Sequence, residues 1–184
     1  MPHLSPFNVF GPLTLCLICG VHSISLPSLL GSETAGRQFA APVIGAAKAA
    51  VRRFQERLDD HFLVALANTQ RNDPAAGYRL AESTAEIHAA ELLLYDAAAR
   101  LDQLGGADEV DLLINASIVR DCGWAVRALA EAVDRLYEAS GANVMRADEP
   151  MQRLWRDVNA ARSHAILTWD HAANIYGKAL LNNA

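Results

Sequence analysis

The chain is short of several things at once. Aromatic residues make up 7% of its 184 residues, only three cysteines occur, and no run of lysine and arginine is present. Each shortage excludes something. Binding to a phosphate backbone needs a basic patch, and a chain of formal charge −5 without one is not expected to bind nucleic acid. A membrane helix needs about 20 consecutive apolar residues. The most apolar stretch here is broken by Pro12, Gly20, His22 and Pro27, so no span is expected. Cys16 and Cys19 form a lone CxxC, without the second ligand pair of a structural zinc or the βαβ surroundings of a redox motif. Together with Cys122 they read as small apolar residues suited to a reducing, cytoplasmic compartment. GxGxxG, Walker A and GxSxG are all missing, which removes the phosphate cradles and the nucleophile elbow.

What is present divides the chain in two. Residues 1–36 are apolar, rich in Pro, Gly and Ser, and free of Lys and Arg. A secretory signal would carry a basic n-region. The segment reads as an irregular leader, with short strands expected at Thr14 to Ile18 and Val21 to Leu26. From residue 37 to 184 the pattern is helical and alanine-rich, as suits closely packed helices. One domain of this size can bury roughly 70% of its unfolded surface without disulfides or metal.

Four helices are expected. Pro42 opens the first, in which Ile44, Ala47, Val51, Phe54, Leu58, Phe62 and Ala65 recur at helical spacing. Asn72, Asp73 and Pro74 end it. The second runs from about Ala75 to Leu104, with Leu80, Ile87, Leu94 and Leu101 seven residues apart. The third starts near Asp108 and stops at Ser140 and Gly141. The fourth starts at Pro150, runs to about Leu181, and is expected to bend or break near Thr168 to Asp170. Long amphipathic helices joined by short links make the fold class all-α, an antiparallel four-helix bundle.

The fourth helix holds the densest chemistry. Asp157, Ala160, Ala161, His164, Thr168 and His171 fall on one helical stripe, polar at its ends and small in its middle. Such a stripe suits both the approach of a flat ligand and close helix packing, and spacing alone leaves both open. His164 is the candidate general base, because imidazole titrates near neutral pH. The same residue fits a satisfied interior histidine. His171 lies too far along for a metal pair with His164. His88 and Glu91 copy half of a di-iron carboxylate site, but no second Glu-x-x-His completes it, so no metal is expected. Arg153 and Asp157 read as a surface ion pair, and Asp59, Asp60 and His61 as a solvated face near a helix end.

Four segments carry a resemblance to a known family: FAAPVIGAAKAAVRRF at 39–54, AELLLYDAAARL at 90–101, AVDRLYEASGAN at 132–143 and, most strongly, PMQRLWRDVNAARSHA at 150–165. Over about residues 37–181 the chain resembles the C-terminal helical domain of the acyl-CoA dehydrogenase superfamily. Within it, the chain is most similar to the two-component, flavin-dependent monooxygenases of aromatic and related small molecules. The resemblance implies a bundle that packs as a homotetramer and closes a site for reduced flavin, FMN or FAD, partly from a neighbouring subunit. A separate flavin reductase and a small-molecule substrate are the implied partners. Ser140 and Gly141 correspond to a turn near the flavin phosphate or nucleotide portion. Arg156 and Asp157 correspond to an Arg-Asp pair that organises the turn and the subunit contact. His164 corresponds to a histidine that orients or deprotonates a phenol-like substrate.

The resemblance also marks what is missing. Family members carry an N-terminal helical domain and a middle β-domain ahead of this one, so the chain alone is expected to be inactive. An acyl-CoA dehydrogenase proper, using FAD, is the alternative enzyme. It would need a catalytic glutamate, and none occurs after Asp157. A non-catalytic helical oligomerisation module is the alternative of another class.

Overall fold

The computed structural model describes residues 32–60, 62–63, 68–104 and 111–182. Among the described residues five α-helices follow one another: α1 (Ser32–Asp60), α2 (Pro74–Leu104), α3 (Leu112–Ala139), α4 (Pro150–Arg162) and α5 (Trp169–Asn182). The expected fourth helix is thus two, α4 and α5, running in the same direction. With that break the architecture is the antiparallel four-helix bundle, and α3 packs against every other helix.

Local signals explain most of the ends. Asp73 accepts the amide of Ala75 at 3.0 Å, and Pro74 fills the first helical position of α2. Asp111 caps α3 by accepting from Leu113 N at 2.7 Å and Ile114 N at 3.4 Å, three residues later than the expected start. At the far end of α3, Gly141 takes φ 77°, a left-handed value that favours glycine. Glu149 stands at the N-cap of α4 without a capping bond, and its carboxylate instead accepts from Arg53 Nε at 2.9 Å and an Arg57 Nη at 3.4 Å.

Two boundaries differ from the sequence reading. Pro42 does not open α1 but lies inside it, ten residues past Ser32, so the last residues of the presumed leader are helical. An interior proline costs a helix roughly 3 kcal/mol. Burial of Ala40, Val43, Ala47 and Ala50 along the same helix offsets it. At the other end α1 stops at Asp60, and Phe62–Leu63 pairs antiparallel with Asn68–Thr69, with Phe62 opposite Thr69. Phe62 therefore leaves the helical stripe to which it was assigned; Ala65 and His61 lie outside the described residues. The expected strands near residues 14–18 and 21–26, and the CxxC, lie outside them too.

The core is built from small residues set against a few large ones. On α2 the expected row of Leu80, Ile87, Leu94 and Leu101 faces inward, with Ile87 and Leu94 buried. A second row, Ala76, Ser83, Ala90 and Ala97, is buried beside it at the same spacing of seven. These small side chains let α2 and α3 approach closely. Ser83 is fully buried and donates to the carbonyl of Ala132 at 3.1 Å. Arg135 of α3 then clamps α2 through two bonds to Glu86, at 2.7 and 2.9 Å. Among the described residues no helix is long and apolar enough to cross a membrane.

Candidate functional site

His164 is not mid-helix. The chain leaves α4 after Arg162 and turns over residues 163–168 before α5 begins. The reason is Leu167, which is 1% exposed. A continuous helix would carry the polar run Arg162, Ser163, His164 onward, whereas the turn drops Leu167 into the core. It also lays α5 across α3 at Gly123, whose added Cβ would come within 3.7 Å of the Leu167 carbonyl and 2.6 Å of Ala172 Cβ. The expected stripe consequently dissolves. Asp157, Ala160, His164 and His171 are all exposed, and the buried face of α4 is Met151 and Val158 instead.

The backbone of His164 is tied on both sides. Its amide donates to Ala161 O at 3.1 Å, and its carbonyl accepts from Leu167 N at 2.8 Å and Thr168 N at 3.1 Å. Thr168 O in turn accepts the amide of Ala172, in the first turns of α5. An exposed imidazole thus stands on a fixed stretch of backbone. That is what a group aimed at a ligand requires, since rigid support keeps it in one geometry.

One carboxylate that sequence reasoning passed over anchors the approach to this turn. Asp134 on α3 accepts from Trp155 Nε1 at 2.6 Å, Asn159 Nδ2 at 2.9 Å and an Arg162 Nη at 3.1 Å. The Trp155 ring also stacks on Tyr137 at 4.8 Å between centroids. The signal was available: Trp155, Asn159 and Arg162 are three donors at i, i+4 and i+7 of one helix. They form a stripe beside the one that carries Asp157.

The other sequence candidates stand elsewhere. Ser140 is fully buried; its hydroxyl donates back to Leu136 O at 2.7 Å, and its carbonyl accepts from an Arg57 Nη at 3.0 Å. Gln70 adds a bond of 2.6 Å to Ala139 O. Ser140 and Gly141 therefore close the C-terminus of α3, near the start of α4, whereas His164 lies past the end of α4. A 13-residue helix is about 20 Å long, so one chain does not bring the two groups together. Arg156 is exposed, and Asp157 is exposed with Arg153 Nε 3.8 Å away, the surface ion pair expected. His88 is exposed, Glu91 is paired with Lys48, and no group of three metal-binding side chains occurs among the described residues.

A cleft of about 340 Å3 opens between α2 and α5 over α3, lined by Ala89, Leu93, Arg120, Asp121, Trp124 and Trp169. Its charged floor is already neutralised, since buried Asp121 pairs with both Arg100 and Arg120 and Asp96 pairs with Arg100. Arg120 also lies 4.3 Å over the ring of Tyr176.

A family model described as "Acyl-CoA dehydrogenase, C-terminal domain" matches residues 38–169. The chain belongs to that family. Within it, relatives include oxygenase components of flavin-dependent monooxygenases. The HsaA oxygenase subunit of Mycobacterium tuberculosis is 32% identical over 139 residues, covering 74% of this chain and 35% of that protein. The oxygenase component of an FADH2-dependent resorcinol hydroxylase from Rhizobium sp. is 28% identical over 169 residues, covering 85% of this chain and 40% of that one. The solved structure of XiaF from Streptomyces sp., in complex with FADH2 and glycerol, superposes with a TM-score of 0.75 at 27% identity, covering 82% of this chain and 39% of XiaF. This acyl-CoA dehydrogenase C-terminal domain thus spans well under half the length of these relatives.

Proposed function

We propose that the chain is the C-terminal helical part of a flavin-dependent oxygenase component that hydroxylates an aromatic or related small molecule. A separate reductase would supply the reduced flavin. The reading rests on the relatives named above, and the observation that carries it in this chain is His164, an exposed imidazole on a backbone held from both sides.

The residues present fit part of a flavin site. Gly141, half-buried at φ 77° and without a side chain, gives a phosphate or nucleotide portion room near the backbone of its turn. Ser140 serves there as the buried cap rather than through its committed hydroxyl. The exposed guanidinium of Arg156 is suited to pair with an anionic group, whether of a ligand or of another subunit. Asp157 keeps it company in a subunit contact. When bound, reduced flavin supplies the activation of oxygen. His164 would hold or take the proton of a phenol-like hydroxyl, for which a neutral imidazole is matched near pH 7.

Since Ser140–Gly141 and His164 sit at opposite ends of α4, a complete site on this reading draws on more than one chain, which favours a homo-oligomer. Water would also have to be kept out by surfaces beyond these helices. The chain alone is then inactive. A cytoplasmic location goes with the reading.

The test is an anaerobic titration of the purified chain with reduced FMN and then reduced FAD, followed by flavin fluorescence and sedimentation together. Micromolar binding to an oligomer is the expected result. Absence of binding at millimolar flavin would overturn it and leave a helical assembly module in its place.

A further inference from the structure

From Asn159 to Ile166 no side chain is fully buried. Val158 is the last core residue before this stretch and Leu167 the first after it. Ala161 alone of this stretch packs partly against the core, so core packing sets the end of α4 only loosely and polar contacts add the rest. Three of them converge on Asp134. One carboxylate oxygen takes the indole N–H of Trp155 and the amide of Asn159, and the other takes the guanidinium of Arg162.

Asp134 is well placed to act as a reference point. It belongs to α3, the helix that packs on all the others, between fully buried Val133 and Leu136. Bonds to an ionised acceptor are shorter and about twice as strong as neutral ones. They also reach the turn by a short path. Asn159, held through its side chain by Asp134, accepts the amide of Ser163 on its own carbonyl at 3.1 Å, and His164 is the next residue. Arg162, the last residue of α4, is held directly.

We propose that Asp134 is the positioning residue for His164: its three hydrogen bonds fix the exit of the chain from α4 and so the place of the imidazole. The proposal rests on the reading of His164 as a site residue, and it is tested separately from that reading.

The full chain, labelled with nitrogen-15, gives long-range imidazole correlations for its six histidines, and His164→Gln identifies the signal of interest by its loss. In Asp134→Ala the His164 signals should shift. Amide exchange at Ser163 and His164 should speed at least tenfold, while that of α2 stays as it was. Arg162→Met and Asn159→Ala, which each remove one bond to Asp134, should give intermediate shifts, and they carry the test if Asp134→Ala does not fold. Leu129→Ala, a core cavity on the same helix, should lower the melting temperature without moving the His164 signals.

Wild-type His164 signals and exchange in the Asp134 and Arg162 variants would overturn the proposal, as would equal shifts in Leu129→Ala. Failure of the wild type to bind reduced flavin would instead sink the functional reading and leave these spectra interpretable.

Discussion

A Cβ placed on Gly123 would lie 2.6 Å from the Cβ of Ala172. Real Cβ atoms do not approach so closely, so glycine at this point of α3 is what allows α5 to lie where it does. Gly123→Ala gains helix propensity of about 1 kcal/mol, yet overpacking a core costs roughly 1–3 kcal/mol. The variant should be less stable by about 1 kcal/mol, and Ala172→Gly should restore it. Urea midpoints of the two single variants and the double variant check this; a stabilised Gly123→Ala would mean that α5 shifts freely.

His164→Ala should leave stability nearly unchanged, within about 0.5 kcal/mol, because the side chain is exposed. Leu129→Ala, at a fully buried position, should cost about 2–5 kcal/mol. Thermal melts of both compare the two directly. A loss at His164 as large as that at Leu129 would mark it as a structural residue.

Pro42 stands exposed inside α1, where it donates no amide to the helix. Pro42→Ala should therefore stabilise the chain by about 1–2 kcal/mol, less than the full helix-interior penalty because alanine also frees the unfolded chain. Had proline opened the helix, the change would be neutral or unfavourable. Denaturant midpoints separate the two outcomes.

Arg71 donates to both oxygens of Asp59 and, chiefly through that hydrogen bond, holds its carboxyl below the ordinary value of 3.8. A depressed carboxylate stabilises the fold above its unfolded pKa, and that contribution is lost as pH falls through the lower folded value. Wild type should thus exceed Asp59→Asn in stability by a small margin at pH 6, and the margin should close below pH 3.8. Urea midpoints measured across that range test the sign; a gap that widens toward acid would reverse it.

Several large apolar side chains remain exposed, among them Trp124 on α3, Leu92 and Tyr95 on α2, and Leu180 and Leu181 on α5. Exposure of this kind favours association. Light scattering should report a species heavier than the 19.9 kDa chain, whether through the third and fourth helices of the bundle or through this face. Trp124→Glu discriminates: it should lower the mass if the face around Trp124 is used. A monomer in the wild type would count against the homo-oligomer.

Apolar periodicity fixed the order of the helices and the existence of the first three, because a buried stripe must repeat near 3.6 residues whatever packs against it. The row Leu80, Ile87, Leu94, Leu101, the start of α2 at Asp73–Pro74 and the stop of α3 at Ser140–Gly141 were legible, whereas the end of α1 at Asp60 was not, and Asp73 and Gly141 act through local backbone chemistry alone. Tertiary structure decided the rest. Pro42 stays helical because neighbouring helices bury the residues around it. The break after Arg162 carries no glycine or proline; it follows from the need to bury Leu167 and to cross Gly123, contacts made with residues some forty positions away. His164 was singled out by its chemistry and its resemblance, but its setting, an exposed imidazole beyond a helix end steadied by Asp134, depends on hydrogen bonds between α3 and α4. Local preference governs where helices form, and long-range packing governs where they are interrupted, because only the folded chain supplies the partners that an interruption needs.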